Sequence, residues 1–170
     1  MATSAKSQAE QPIESGFGLK LSDSIAAIMR NLARDYTRTL ERRLAAHNIT
    51  VSMWFPLRIL WEEDGITQNE IQLRLGLAQP TLTTALDRLE RRGLIERHRS
   101  TSDRRRVHIH LTREGKDLED EILHYAEEVQ AIATMNVTKR ELDTLERVFK
   151  KMRTALDEDH ALIGKVTRDG

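Results

Sequence analysis

The amino-acid sequence predicts a mainly α-helical protein that carries one small β-hairpin. The 170 residues are 32% charged and only 4% aromatic, a composition typical of long amphipathic helices. Thr-x-x-Glu capping boxes begin at Thr67 and Thr138, and apolar residues at helical spacing follow each of them. One short segment, "RVHIHL" (106–111), instead alternates polar and apolar residues as a strand does.

Composition also excludes several classes of site and of protein. The chain has no cysteine, which rules out disulfides, thiolate metal sites, cysteine nucleophiles and thiol-based oxidant sensing. No apolar run approaches the roughly 20 residues of a membrane span, and no hydrophobic signal-peptide core follows the start. We therefore expect a cytoplasmic protein that contacts no membrane.

The first two predicted helices cover residues 22–46 and 52–63. Ser22 is the expected N-cap of the first, with the acidic Asp23 in its first turn. In the second helix Pro56 is acceptable only if it lies near the first turn, where a missing backbone N–H does little harm. Residues 64–65, Asp-Gly, end this helix.

The next segment has the pattern of a helix-turn-helix. The capping box at Thr67 begins a short helix that Gly76 ends. After a turn of about four residues, Pro80 suits the first position of a second helix, which runs to Arg92 and is capped by Gly93. Two helices joined in this way form the supersecondary motif of many DNA-binding proteins.

The second helix of this motif has two distinct faces. An apolar stripe is formed by Leu82, Ala85, Leu86 and Leu89. Threonine is a mediocre helix former, so three threonines in the first turns of the other face need a reason beyond folding. Short hydroxyl side chains can hydrogen-bond base edges or phosphates. The alternative is an ordinary solvated helix in a small bundle. The polar face consists of Thr81, Thr83, Thr84, Asp87, Arg88 and Arg91.

A positively charged hairpin follows directly. "LIER" (94–97) begins a strand, residues 98–104 form a polar loop, and "RVHIHL" is the returning strand. The whole chain balances 27 Lys and Arg against 27 Asp and Glu, yet residues 97–106 hold five Arg and one Asp, a net of +4. A protruding loop of this kind suits DNA phosphates or a narrow minor groove, and Asp103 can brace a neighbouring arginine. The alternative is a solvated charge run.

Two long helices complete the predicted fold. Thr112 caps a helix over 112–135, and the capping box at Thr138 begins the last one. The apolar seams of these helices have more surface than a small helix-turn-helix domain with a β-hairpin can cover. We therefore expect a homodimer, in which the second helix of each helix-turn-helix is the recognition helix. We assign 1–20 and 159–170 to tails, 21–50 and 112–158 to dimerisation, and 51–111 to DNA binding. The seams are Leu118, Ile122, Tyr125, Val129 and Ile132, then Leu142, Leu145, Phe149, Met152 and Leu156.

The order of these elements resembles the MarR family of winged helix-turn-helix transcriptional regulators over residues 20–158. The resemblance lies in "LTTALDRLERRGLIER" (82–97) and "SDRRRVHIHLTREGK" (102–116). The wing pattern of the family is matched by Asp103, Arg105, Leu111, Thr112 and Gly115.

The resemblance implies a sequence-specific regulator, most simply a repressor, that binds a pseudo-palindromic DNA duplex. It places helix 80–92 in the major groove and Arg105 in the minor groove, with Asp103 as the support of that arginine. Many members have an arginine where this chain has Thr84, so a base-contacting arginine does not carry over to that position. The candidate DNA contacts are Gln79, Pro80, Thr81, Thr83, Thr84, Arg88, Ser100, Thr101, Asp103, Arg104, Arg105 and Arg106.

The resemblance also implies a small-molecule effector, an aromatic carboxylate or its coenzyme A thioester. The sequence offers a candidate site in "MWFPLRILW", where an arginine within an aromatic stripe can bind a carboxylate while the rings stack on the ligand. The alternative is that Arg58 stacks on Trp54 or pairs with Glu62 and that the aromatics are core. The candidate residues are Trp54, Arg58 and Trp61, with Tyr36, Arg34 and Arg38 on the first helix.

Three other interpretations remain open at this point. A metal-responsive regulator could use His108 and His110, with His98 and His124 also available, although alternating strand histidines are usually polar-face residues. A non-specific nucleoid-type protein would bind operator and random DNA alike. An enzyme is not expected, because no phosphate loop, catalytic triad or paired acidic motif is present. No cofactor is expected.

Overall fold

The computed structural model describes residues 24–99 and 106–166, with side chains described as far as residue 160. The described residues divide into two compact units, one up to Tyr125 and one from Ala126. The element order is that predicted from the sequence. The elements are α1 Ile25–Leu44, a 3₁₀ turn Ala45–His47, α2 Val51–Glu62, α3 Gln68–Leu75, α4 Gln79–Arg91, β1 Ile95–Arg99, β2 Val107–Leu111, α5 Arg113–Thr134 and α6 Lys139–Val166.

The starts of α1 and α2 differ from the prediction. Ser24, not Ser22, caps α1, because the backbone N–H of Ala27 donates to the Ser24 hydroxyl over 3.1 Å. Ser22 itself lies outside the described residues. Helix α2 begins directly after Thr50, so the buried Pro56 falls in its second turn rather than its first. The ring therefore removes the donor that the Ser52 carbonyl would have in a regular helix.

The start of α3 confirms the predicted capping box. The Glu70 carboxylate accepts hydrogen bonds from the Thr67 hydroxyl (2.6 Å) and the Thr67 N–H (2.7 Å), and the Glu70 N–H donates back to that hydroxyl. These bonds hold the pKa of Glu70 below its ordinary value, the side-chain bond contributing most. The ionised Glu70 therefore stabilises the fold at pH values above the ordinary glutamate pKa. This contribution is lost as the pH falls through the lowered pKa of Glu70.

Glycines in the left-handed region end α3 and follow α4, as predicted. Gly76 has φ of 62° at the C-cap of α3, and Gly93 has φ of 68° just beyond α4. One detail of α4 is different: Gln79 is its first residue and Pro80 its second. Neither position requires an intrahelical acceptor for its N–H, which is why proline is tolerated at both.

The wing consists of β1, β2 and residues 100–106 between them. The strands are antiparallel and pair from Ile95–Leu111 to Arg99–Val107, so β1 is longer than predicted and includes residues 98 and 99 of the expected loop. Residues 65–67 extend the ladder on the other side of β2: the Gly65 N–H donates to the Ile109 carbonyl, and the Ile109 N–H to the Ile66 carbonyl. Strand β2 is therefore hydrogen-bonded on both sides, to β1 and to residues 65–67.

One apolar core holds the first unit together. All four residues of the predicted stripe on α4 are buried, which confirms that face. They share the interior with side chains of α2, α3, β2 and α5, and each such side chain stabilises the fold by about 1.5–3 kcal/mol through burial. The fully buried residues include Leu57, Leu60, Ile71, Leu82, Leu86, Leu89, Ile109 and Ile122.

Long helices leave apolar faces uncovered on the single chain. On α1, Ile28 and Leu32 are each 56% exposed, and on α6 Leu145, Phe149 and Leu156 are exposed as well.

Thr138 begins α6 with the predicted capping box, and the helix continues to Val166, past the boundary expected at 158. No Pro or Gly interrupts residues 157–163. Among the described helices, none combines the length and the apolar character needed to cross a membrane.

Candidate nucleic-acid interface

Helix α4 is fixed on α3 by a polar contact as well as by its buried stripe. The amide of Gln68 donates to the Thr83 hydroxyl over 3.0 Å. Thr83 is accordingly half-buried and already bonded, which makes it a part of the α3–α4 contact. The sequence pattern predicts Thr83 as a candidate DNA contact and contains no signal of its bond to Gln68, which is fifteen residues away.

The remaining α4 candidates form one exposed polar face. The Thr84 hydroxyl donates to the Pro80 carbonyl over 2.9 Å, which leaves its oxygen lone pairs and its methyl group available outward. A surface of hydroxyl, amide and guanidinium groups opposite a buried stripe can offer both donors and acceptors to base edges. The exposed members are Gln79, Pro80, Thr81, Thr84 and Arg88.

Arg97 joins the wing to α4. Its guanidinium donates to Asp87 over 2.7 Å and to Glu90 over 2.5 Å, and its side chain is only 22% exposed. The charge of Arg97 is thus neutralised by two carboxylates of α4 rather than offered to DNA, which corrects its inclusion in the positive cluster. The i, i+3 spacing places Asp87 and Glu90 on one face of α4, and this spacing was the sequence signal for a shared cationic partner.

The described end of the wing lies beside a polar cleft. A cavity of about 460 Å³ is lined by the first turn of α3, by Gln79 at the start of α4, and by Arg106 and Val107. Arg106 is exposed and brings a guanidinium group to this cleft. The other wing candidates, Ser100, Thr101, Asp103, Arg104 and Arg105, lie outside the described residues.

At its C-terminal end, α4 meets two other helices. The Arg92 guanidinium donates to the carbonyls of Asn48 (2.6 Å) and His47 (3.0 Å), where the segment after α1 ends. The Thr112 hydroxyl donates to the Gly93 carbonyl (2.6 Å) and accepts from the Gly115 N–H (3.0 Å), so it also caps α5. These hydrogen bonds hold the C-terminal end of α4 against the segment after α1 and against the start of α5.

The aromatic and arginine residues of α2 come together as their spacing predicts. Trp54 is 3% exposed and meets Trp61 edge to face at 5.6 Å between ring centroids. The Arg58 guanidinium lies 5.8 Å from the centroid of Trp54 and 3.6 Å from the Glu62 carboxylate. Arg58 therefore both stacks on Trp54 and pairs with Glu62. This is the arrangement expected of core residues that bind no ligand.

Of the other effector candidates, Trp61 is hydrogen-bonded to a distant residue and Arg34 is paired with a neighbour. The Trp61 indole N–H donates to the Gly115 carbonyl over 2.8 Å, which ties α2 to the start of α5. On α1, Arg34 is exposed and pairs with its neighbour Asp35 at 3.6 Å, Tyr36 is half-buried and Arg38 is exposed.

The histidines are held by several different partners. His98 and His110 stack with ring centroids 4.8 Å apart, and the His108 ring donates to the Gly65 carbonyl over 2.8 Å. His124 stacks instead on Tyr125 of α5. Within residues 24–99 and 106–160, no group of three His, Asp or Glu side chains is placed to hold a metal ion.

Comparison with known proteins agrees with this geometry. The sequence profile of the MarR family matches residues 49–107, from two residues before α2 to the first residue of β2. The chain is 33% identical over 132 residues to the HTH-type transcriptional regulator TtmR of Methylorubrum extorquens, an alignment that covers 78% of this chain and 65% of that protein. It is 28% identical over 142 residues to the organic hydroperoxide resistance transcriptional regulator of Bacillus subtilis, covering 84% and 93%.

Solved structures resemble the chain over a similar range. The DNA complex of S. aureus MepR superposes with a TM-score of 0.73 at 25% identity and covers 78% of this chain and 98% of MepR. A mutant of E. coli MarR in complex with operator DNA gives a TM-score of 0.70 at 26% identity, covering 75% and 91%. Both relatives are seen with DNA bound.

Proposed function

The chain belongs to the MarR family of transcriptional regulators, and from this premise we propose that it is a homodimeric, sequence-specific DNA-binding regulator that represses its targets. The observation that carries the proposal is the exposed polar face of α4, fixed from behind by a buried stripe and from the side by the wing through Arg97. Members of this family are regulators and not enzymes, and the chain is no exception.

The proposed DNA contacts divide into two groups. Thr81, Thr84 and Arg88 of α4 face the major groove and read base edges there, while Gln79 and Pro80 approach the backbone. In the wing, Arg105 enters the minor groove with Asp103 as its support, and positive charge beside it binds phosphates. The residues for that second role are Arg104 and Arg106, and Ser100 and Thr101 are further proposed DNA contacts.

The proposed dimer is supported by the uncovered apolar faces of α1 and α6. Ile28 and Leu32 on the one helix and Leu145, Phe149 and Leu156 on the other are exposed on the single chain. Burial against a second copy would remove this surface from water. Two recognition helices related by a twofold axis then match two half-sites about 34–36 Å apart, as a pseudo-palindromic operator requires.

Selection of a preferred duplex from a randomised DNA pool by the purified protein tests this function. Arg105→Ala should lower affinity for that duplex by roughly five- to 150-fold, because a groove contact of one arginine contributes roughly 1–3 kcal/mol. Fluorescence anisotropy at fixed salt measures the change. Arg113→Ala is the matched control, since it removes an equally positive side chain that is exposed and paired only with Asp117 among the described residues.

Two results would contradict the proposal. If the selected duplex and random DNA bind equally at matched salt, the protein is a non-specific DNA-binding protein of the nucleoid type. If Arg105→Ala binds the duplex as the wild type does, the wing has no groove contact at that residue.

We also propose that an aromatic carboxylate, free or as its coenzyme A thioester, binds beside Arg58 and weakens DNA binding. The pairing of Arg58 with Glu62 is loose at 3.6 Å, and both side chains are accessible, at 34% and 67% exposure. Exposed pairs of this kind contribute at most about 1 kcal/mol, so a ligand carboxylate can replace Glu62. The half-buried Trp61 then supplies the aromatic surface, with the buried Trp54 packed behind it, and Tyr36, Arg34 and Arg38 complete the site.

The proposed mechanism is a population shift. Trp61 donates to the Gly115 carbonyl at the start of α5, so a ligand that displaces the indole also moves the helix that α4 meets at Thr112. Such a ligand favours the dimer form whose recognition helices do not match the operator, provided that it binds that form more tightly.

Titration of benzoate, phenylacetate and benzoyl-coenzyme A against the protein–duplex complex tests the effector proposal. At least one should release the DNA, and Arg58→Gln should need about tenfold more of it, as expected when a charge-assisted hydrogen bond is lost. The variant should bind the duplex as the wild type does without ligand. Equal sensitivity of the wild type and the variant would remove Arg58 from the site, and no release by any compound would reject this effector class.

A further inference from the structure

The C-terminal end of α4 is bonded to the segment that follows α1 and to the residue that caps α5. Arg92 reaches the carbonyls that end the α1 segment, and the Gly93 carbonyl receives the Thr112 hydroxyl at the start of α5. Gly93 by itself is sufficient to end α4, because its N–H donates to the Glu90 carbonyl at φ of 68°. The Arg92 contact therefore requires an explanation other than helix termination.

The geometry of this contact is specific for arginine. Two adjacent carbonyls accept from two different nitrogens of one planar guanidinium, at 2.6 Å and 3.0 Å. A lysine has a single ammonium group and lacks this fork. The carbonyls lie where α1 and its 3₁₀ turn end, the negative end of a helix dipole, and Asn48 turns the chain there with φ of 54°.

The end of α1 is in turn fixed to α5. The His47 ring lies with Nδ1 3.4 Å from the Glu121 carboxylate and with Nε2 3.5 Å from the Tyr125 hydroxyl. Three elements thus form a closed set of contacts: α1 to α5 through His47, α5 to α4 through Thr112, and α4 to α1 through Arg92. In such a set α4 cannot rotate independently of α1 and α5 without breaking a bond.

We propose that Arg92 is a positioning residue that transmits the orientation of α1 to the recognition helix and thereby sets which half-site spacing the dimer accepts. The inference rests on the proposed function, since it presupposes a dimer on a two-part operator. Arg92 acts through the carbonyls that it binds and not through DNA. Its neighbour Arg91 differs, because Arg91 bonds only within α4, to the Asp87 carbonyl at 3.2 Å, among the described contacts.

Spacing preference is the readout that separates positioning from stability or charge. The probes are the duplex selected by the wild-type protein and four derivatives in which one or two base pairs are inserted between, or removed from, the half-sites. Affinities of full-length wild type, Arg92→Gln, Arg91→Gln and Arg92→Lys are measured on each at one salt concentration. Arg91→Gln is the matched control, because it removes the same charge from the adjacent position.

Wild type and Arg91→Gln should prefer the selected spacing by about tenfold or more, whereas Arg92→Gln should discriminate by less than about threefold, since loss of a coupling contact removes a factor of this size. Affinities of the two glutamine variants for random DNA should fall equally. Arg92→Lys should recover the random-DNA affinity but no more than part of the spacing preference.

Two results would overturn the inference: an Arg92→Gln spacing preference equal to that of Arg91→Gln, or a wild-type preference in Arg92→Lys. Circular dichroism and thermal unfolding of each variant accompany the binding data. If Arg92→Gln does not fold, the lysine variant decides alone, and an unaltered preference rejects the inference. Failure of the wild-type protein to select any duplex would instead reject the proposed function, which keeps the two failures distinct.

Discussion

Replacing Gly115 with alanine is expected to destabilise the folded protein by about 3 kcal/mol, the upper range for an added methyl group in a closely packed site. A Cβ atom at this position would lie 2.0 Å from the Leu94 carbonyl oxygen and 3.2 Å from the Leu111 side chain. The oxygen belongs to the backbone and already accepts from the Thr112 N–H, so it cannot move aside without breaking that bond. Urea unfolding followed by circular dichroism measures the change.

Gly76→Ala is the matched control for this prediction. It adds the same methyl group at a left-handed position with φ of 62°, but its Cβ would have no neighbour within 4 Å among the described residues. Only conformational strain of about 1 kcal/mol is then expected. Equal losses at the two glycines would show that the approach of α5 to Leu94 is not as close as described.

Replacing Arg97 with methionine is expected to destabilise the protein by about 2 kcal/mol and to lower affinity for the selected duplex at least about tenfold. Methionine keeps the apolar part of the side chain but leaves Asp87 and Glu90 without their shared cation on one face of α4. The two carboxylates then repel each other, and the wing loses its link to α4. Thermal unfolding and fluorescence anisotropy measure the two effects.

Arg99→Met separates this role from simple loss of charge. Arg99 lies two residues further along β1 and is exposed. Its replacement removes the same charge from the same strand without touching α4. A triple variant in which Asp87→Asn and Glu90→Gln accompany Arg97→Met should recover stability, because no unpaired carboxylate remains. Equal effects of the Arg97 and Arg99 variants on stability would contradict the proposed link.

The fold was predictable wherever a local signal is unambiguous. The capping box of Thr67 and Glu70 uses two side chains three residues apart, and Gly76 marks a backbone conformation that other residues avoid. The start of α1 was predicted wrongly because Ser22 and Ser24 are both plausible caps, and a sequence pattern does not separate positions two residues apart. Pro56 was misplaced by the same uncertainty at the start of α2.

The candidate site was predictable only in part, because its geometry depends on distant pairs. The buried stripe of α4 follows from helical periodicity. Arg97 meets carboxylates seven and ten residues away, and Arg92 meets carbonyls more than forty residues away. Periodicity contains no information about such partners. The sequence therefore showed a cluster of positive charge without showing that Arg97 is neutralised within the fold.

One relative raises a chemical question about the effector. The Bacillus subtilis relative is named as an organic hydroperoxide resistance regulator. This chain has no cysteine, so it has no thiol that a peroxide could oxidise. A signal that acts on it must be bound non-covalently or react with another side chain, which is consistent with the proposed carboxylate effector.

The uncovered apolar faces of α1 and α6 have a consequence for every stability measurement on this protein. If a second copy covers Ile28, Leu32 and Phe149, folding and pairing are linked by mass action, and the apparent melting temperature rises with protein concentration. Free energies of unfolding for the Gly115 and Arg97 variants are then comparable only at one protomer concentration. Dilution alone would mimic a destabilising substitution.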